Sequence, residues 1–517
     1  MKNINRLPVI GSVNGLVLLL ILLLTLYVIP GSAQISQTKR VELPLEQSAN
    51  YYYLMSAEER GLLAFRETKE KTAKGDYVWE FIQFDTSLNE QWKKNYTIDL
   101  NQEFVGYDYC QNNFYLLFKR GPYKDPDYTV LKFDLNDGDT SMFHIREIIP
   151  VELSDFNVVG NAAILSGQIN NRAAVIHYDM SDKKIKVLPG LYKNHTEILQ
   201  VTVDDENNTF NLINTERTIN RKNTVSLKTF NENGELLRSD ILVSPQDVSL
   251  ISGASTSFDE ENQLVAGTYA QDNSNYSRGF YIARLDEDGQ RDLQQYNFGE
   301  LENFFSYMKS KRQQRIKEKI AKRKKQGKKL RFNYRLLVHD ILERDGNYIL
   351  LAEAYYPKYD NESRSLMPYD YRNRNQLAEM NFTGYKYTHA IVVGFDKSGK
   401  LLWDNSFEIN DLESYRLEKF VKVGVDQDKI VLLYVYENVV RSKIIRGNEV
   451  LEGKAFNDIK LKFEDDVVKN NDFKVGGLEK WYDKYFYVYG VQTIKSSRTV
   501  DKEGNRQVFF INKITYD

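Results

Sequence analysis

The chain of 517 residues holds five histidines, His144, His177, His195, His339 and His389, and a single cysteine, Cys110. These side chains most often bind metals or attack substrates, so their spacing decides which chemistry is open. No two histidines stand at a metal-ligand interval. There is also no Gly-x-Ser-x-Gly elbow, phosphate-binding glycine loop or dinucleotide fingerprint. The motifs thus point to no metal, no cofactor and no catalytic residue. His177 and His389 lie within or beside apolar runs, where hydrogen-bonded structural histidines belong. Cys110, in "VGYDYCQNNFYLLF", is expected to be a small buried hydrophobe rather than a reactive thiol. Carboxylates are plentiful, but a ring fold draws its site from distant segments and hides which of them converge.

Two segments carry recognition chemistry instead. The first, 301–331, has thirteen Lys or Arg and one acid between 309 and 331, a local charge of +12 in a chain whose total is −2. Leu301, Phe304, Phe305 and Met308 fall on one helical face, Ile316 and Ile320 extend the trace, and Gly327 is a plausible helix end. The expected element is a solvated helix pinned by its aromatic start. Phe304, Phe305, Lys311, Arg312, Arg315, Lys322 and Arg323 would be available to an acidic protein, an anionic lipid headgroup or a polyanionic glycan. The second segment, 357–386, holds Tyr359, Arg364, Tyr369, Tyr371, Arg372 and Arg374. Tyr and Arg combine contact area with directional hydrogen bonds, which suits either a binding loop or a cover over an opening.

The rest of the chain is a repeat that must position these segments. Apolar runs end at Phe84, Phe133, Tyr178, Phe230, Leu285, Phe395, Ile445 and Asn512, with gaps of 49, 45, 52, 55, 110, 50 and 67 residues. The long gap contains both insertions. Several runs are followed by an Asp-x-x-Gly type turn, as in "FDKSGK" (395–400), where Asp or Asn folds onto the backbone and Gly takes the left-handed conformation of a hairpin. Turns such as "DLNDGDT" do not have the ligand spacing of a calcium loop. A second apolar run precedes each turn, for example "YILLAEAY" (348–355) and "KIVLLYVY" (429–436), with a further short strand before it. A period near 50 residues of four short strands predicts an all-β β-propeller with eight four-stranded blades, seven being the alternative. The last unit lacks a fourth strand, and the polar stretch 38–47 is unassigned; pairing the two would close the ring and remove a sheet edge. The span 38–517 is then one domain.

The phrase "FDKSGKLLW" (395–403) resembles the quinoprotein-like propeller repeat of bacterial envelope proteins, with its Asp, its Gly and the following Trp403. "FDTSLNEQW" (84–92) is similar, with Trp92 and with Asn89 in the glycine's place. That family includes alcohol dehydrogenases and an eight-bladed, non-enzymatic scaffold of outer-membrane protein assembly. The resemblance implies an envelope propeller, either redox or scaffolding. The scaffold is a lipoprotein, and this chain has no cysteine just after its leader to carry a lipid.

Lys2 and Arg6 precede an uncharged run from Gly15 to Ile29 and the small residues "GSA" ending at Ala33, the pattern of an export signal over 1–33. A retained anchor is the competing possibility. With one cysteine, no intramolecular disulfide can form, so burial must hold the fold. A hydrophobic fraction of 42% and an aromatic fraction of 13% supply the core. The expected protein is an exported, monomeric binding or scaffold propeller of the periplasm or outer envelope. Its partners would be an envelope protein or an anionic surface, with peripheral membrane contact possible and nucleic acid excluded by location. The alternative is a propeller enzyme with its site in the central channel, acting on polysaccharide or peptide or, as a quinoprotein, in redox chemistry.

Overall fold

The computed structural model describes residues 35–46, 49–121, 127–146, 149–218, 222–359, 382–495 and 505–516. The leader expected over 1–33 and residues 360–381 of the second insertion lie outside them.

Eight separate antiparallel sheets make eight blades. In seven of them four main strands follow one another in sequence, from Tyr53–Ser56 through Glu90–Ile98 in blade 1 to Lys422–Asp426 through Glu449–Asp458 in blade 7, and blades 5 and 6 add a two-residue fifth strand each, Ala254–Ser255 and Glu413–Ser414. Blade 8 takes Val467–Lys480, Tyr485–Lys495 and Asn505–Tyr516 from the end of the chain. Its outer strand is Ile35–Pro44, paired antiparallel from Ile35 opposite Tyr516 to Pro44 opposite Val508. The unassigned N-terminal strand thus closes the ring beside the last one, and the count of eight stands.

The two middle strands of a blade are almost continuously apolar because both of their faces are covered. In blade 6, Leu350 and Ala352 point toward blade 5 while Ile349 and Leu351 point toward blade 7. Eight hydrophobic clusters result, one between each pair of neighbouring blades. The cluster between blades 8 and 1 unites Phe509 and Ile511 with Leu62, Ala64 and Phe84. The outer strands alternate, as in Glu90–Ile98, because one face meets water. The first strands of neighbouring blades approach one another around the central channel. Several of them bulge there, at Val105, Ser154, Leu199 and His339–Asp340. In blade 5 the first strand is broken into Val248–Leu250 and Ala254–Ser255.

The turns between third and fourth strands work as their residue types dictate. Asp396 Oδ1 accepts the N–H groups of Ser398 (2.9 Å) and Lys400 (3.1 Å), and Gly399 sits at φ 78°. In blade 1, Asp85 Oδ1 does the same for Ser87 and Asn89, both at 2.8 Å. There the left-handed residue is Leu88 (φ 57°), one position before the Asn89 assigned to it from the sequence. Leu88 tolerates that conformation because its side chain is buried in the cluster between blades 8 and 1. Trp92 Nε1 donates to Leu135 O at 2.9 Å, and Trp403 packs on Gly447, so both tryptophans seat on the turn of the following blade.

The first insertion joins blades 5 and 6. Its helix, α1, spans Ser310–Lys325 and not the aromatic lead-in. The Glu302 and Asn303 N–H groups, at 2.8 and 2.7 Å, are held by the carboxylate of Asp404, and the lead-in continues as turns, with Ser306 N–H donating to Asn303 O at 2.9 Å and Met308 N–H to Phe305 O at 3.0 Å. Gly327 (φ 63°) ends the helix, with Lys328 N donating to Arg323 O at 3.0 Å. The helix does not protrude: Ile316 and Ile320 lie back on the cluster between blades 5 and 6.

Candidate functional site: the loop face and its channel mouth

The turns joining first to second strands, and third to fourth, emerge at one end of the ring. The connections between second and third strands, and between blades, emerge at the other. Both insertions leave from this second end, the loop face. Two adjoining clefts open there around the channel, of about 940 and 610 Å³, sharing Glu418, Gly476 and Tyr489.

The larger cleft is walled by Tyr51, Tyr53, Trp79, Phe104, Tyr107 and Tyr489, drawn from blades 1, 2 and 8. Tyr53 packs on Phe65 (5.4 Å between ring centroids) and on Phe104 (4.9 Å), and Phe104 stacks on Tyr107 at an interplanar angle of 5°. The rings are braced from below yet open above: Tyr51, Tyr53 and Tyr107 retain 36, 47 and 42% of their surface. Desolvation raises the Tyr107 phenol, with Glu479 and other acids adding to it, so this ring is a neutral donor at physiological pH. Such a slab offers stacking area and hydroxyl hydrogen bonds to an extended ligand.

Charges flank the slab in pairs. Lys422 meets Glu479 at 2.6 Å, Lys419 meets Asp340 at 3.3 Å, and the Tyr51 hydroxyl donates to Asp472 at 3.0 Å. Gln200 of blade 4 also reaches Asp340, so the channel is bridged between blades 4, 6 and 7. In the channel wall, His339 Nε2 lies 2.8 Å from Glu353 Oε1, which also accepts the Val421 N–H at 2.9 Å. The bulge at His339–Asp340 aims the imidazole at this carboxylate. A histidine oriented by an anchored carboxylate has the geometry of a general base. Among the described residues it has no hydrogen-bonded nucleophile, and those residues contain no group of three or more metal-ligating side chains.

Deeper acids serve the fold. Asp108 accepts the Val158 N–H at 2.6 Å across the blade 2 to blade 3 boundary, and burial, with Asp205 and Asp155 nearby, pushes it up to about 7. Cys110 is buried and donates to Asp205 at 3.3 Å; desolvation raises the thiol to about 12, as an inert side chain requires. His177 bonds the Glu232 carbonyl at 2.7 Å. His389 is fully buried, stacked on Tyr307 at 3.6 Å and pushed down to about 3 by desolvation, so it is neutral.

The residues singled out in the sequence divide into three groups. Phe304 and Phe305 are buried among Phe298, Phe332 and Tyr334, so they hold the insertion and are withheld from any partner. Lys311, Arg312, Arg315 and Lys322 are exposed on α1, and Arg323 is half-buried, donating to Lys329 O at 2.9 Å. Tyr359 is exposed beside Phe382 at 5.9 Å, whereas Arg364, Tyr369, Tyr371, Arg372 and Arg374 lie outside the described residues. The tyrosine slab was missed. Its one signal in the sequence is the run "NYYYL" just before the first blade.

No family model and no curated protein matches the sequence. Solved structures with a similar fold include the β-propeller domain of the Trilobed protease from Pyrococcus furiosus, 10% identical with TM-score 0.33 over 79% of this chain and 95% of that one. The polysaccharide lyase Uly1 is 8% identical with TM-score 0.38, covering 79% and 89%. The Nup133 β-propeller domain of Vanderwaltozyma polyspora is 9% identical with TM-score 0.40, covering 90% and 100%. The propeller assignment stands on the eight sheets themselves.

Proposed function

We propose that this chain is an exported binding propeller of the cell envelope that holds a partner protein at the channel mouth of its loop face. The observation that carries this is the braced, open slab of Tyr51, Tyr53 and Tyr107, flanked by charges that are already paired with one another. Paired groups offer a ligand fixed hydrogen-bonding partners beside the rings. The leader pattern over 1–33 supports export. Crosslinking in intact cells, followed by mass spectrometry, compares the native protein with a Tyr53→Ser/Tyr107→Ser variant whose thermal unfolding matches it. A discrete envelope protein captured by the first and lost by the second is expected. An identical capture profile overturns the mouth as the binding site.

The His339–Glu353 pair favours one second reading, a channel enzyme acting on polysaccharide or peptide. Turnover of such a polymer that is abolished by His339→Gln, with binding at the mouth intact, would establish it over the scaffold.

A further inference from the structure

We propose that α1 is an electrostatic docking strip for anionic phospholipid headgroups, separate from the tyrosine mouth. Along Ser310–Lys325, the half-buried side chains are Gln313, Ile316, Ile320 and Arg323, the stripe that rests on the propeller. All other cations of the helix face water. Its isoleucines are turned inward onto the blade 5 to blade 6 cluster, so the outward face has no large apolar side chain to bury among acyl chains. Contact with a bilayer stops at the headgroups and depends on charge alone.

The helix is arranged against its own electrostatic interest. Lys309 at the N-cap makes no side-chain capping bond, the first turn has no acid, and Lys311, Arg315 and Lys319 repeat at four-residue intervals. Among the described residues, the basic segment has a carboxylate partner only at its far end, Lys329 with Asp247 at 2.9 Å. It is nonetheless seated firmly. The Tyr307 ring stacks on His389, Ser306 bonds Ser406 at 2.8 Å, and Phe304 fills the core beneath. A rigid, unneutralised row of cations is what a polyanionic surface would complete. Lysines predominate and are spread along a rod of about 24 Å. That suits diffuse headgroup charge better than the converging arginine forks that grip discrete carboxylates of a protein. The opposite end of the ring has acid-rich turns, such as 134–139, 204–208 and 286–288. An anionic membrane would repel that end, so adsorption through α1 would fix one orientation.

The test is co-sedimentation of the protein, as recovered from its own cells, with phosphatidylcholine vesicles containing or lacking phosphatidylglycerol. The comparison protein is the full-length Lys311→Gln/Arg315→Gln/Lys319→Gln/Lys322→Gln variant. Any contribution of the leader is common to both proteins and cancels. Binding to the anionic vesicles alone is expected, suppressed by salt, with the variant weaker by roughly five-fold per cation removed, several hundred-fold together. Circular dichroism and thermal unfolding confirm that the variant is folded. Equal binding to both vesicle types, or a variant that binds as well as the native chain, overturns the proposal. So does absence of vesicle binding alongside charge-dependent capture of a soluble acidic protein.

Discussion

The closing blade and the rim helix are both rich in charge, and they treat it in opposite ways. In blade 8, Arg40 lies 2.8 Å from Glu42, while Arg506 meets Glu42 at 3.0 Å and Asp466 at 2.5 Å. Glu42 and Asp466 are almost sealed from water, and Arg40 also bonds Gln492 and Asn512. These four charges answer one another. On α1 the cations stand in water with few partners. Buried pairs set the register in which the two ends of the chain meet, whereas the exposed row adds nothing to the fold and remains available to a surface.

The contrast breaks most sharply at Arg506. Arg506→Leu leaves Asp466 and Glu42 buried without their shared cation, and a loss of about 3–5 kcal/mol is expected in denaturant unfolding. If the loss is negligible, the closure network is not structural. Phe304→Ala empties the seat of the insertion and is expected to cost about 3 kcal/mol. Hydrogen exchange should rise across α1 while the strands of blade 8 keep their protection. Leu88→Gly relieves a left-handed residue but forfeits its burial, so a smaller net loss of about 1–2 kcal/mol is expected in the same assay.

The charge at Asp108 responds to pH. Its carboxyl is held up near 7 in the folded protein, above the value of about 3.9 in an unfolded chain. The folded state therefore binds this proton more tightly. That contribution is present at acid pH and lost as pH rises through about 7. Asp108→Asn should remove this decline, which runs from about pH 4 to about pH 7, measured as thermal midpoints across about pH 4 to 8. The smallest effect is expected on α1: exchanging Lys311, Arg315, Lys319 and Lys322 for glutamine should cost no stability and, by relieving like-charge repulsion, gain up to about 1 kcal/mol. A large loss there would mean that the row of cations is structural after all.

How much of this was legible in the sequence depended on range. The blade period, the Asp turns and the unassigned strand at 38–47 are local patterns with local causes, and the ring follows from repeating them. Gly327 was legible as a helix end for the same reason. The start of α1 was not: Leu301, Phe304, Phe305 and Met308 have helical spacing, but that segment folds as turns whose aromatic rings fill the core between blades 5 and 6, contacts made with residues far away in the chain. Leu88 was hidden because only burial by blade 8 makes a left-handed leucine tolerable. The tyrosine slab was hidden by distance, since Tyr53, Tyr107 and Tyr489 meet only after the ring has closed.

The pairing of Ile35–Pro44 with Asn505–Tyr516 also sets a clock. At a synthesis rate of about 5–20 residues per second, the first strand waits roughly 25 to 100 s before its partner exists. Throughout that interval its hydrogen-bonding edges are open to any neighbouring chain. The composition "ISQTKRVELP" suits the wait, because Lys39, Arg40 and Glu42 discourage pairing with strangers and a proline ends the strand. The residues that later lock the ring are thus the ones that keep its loose end soluble until the last blade arrives.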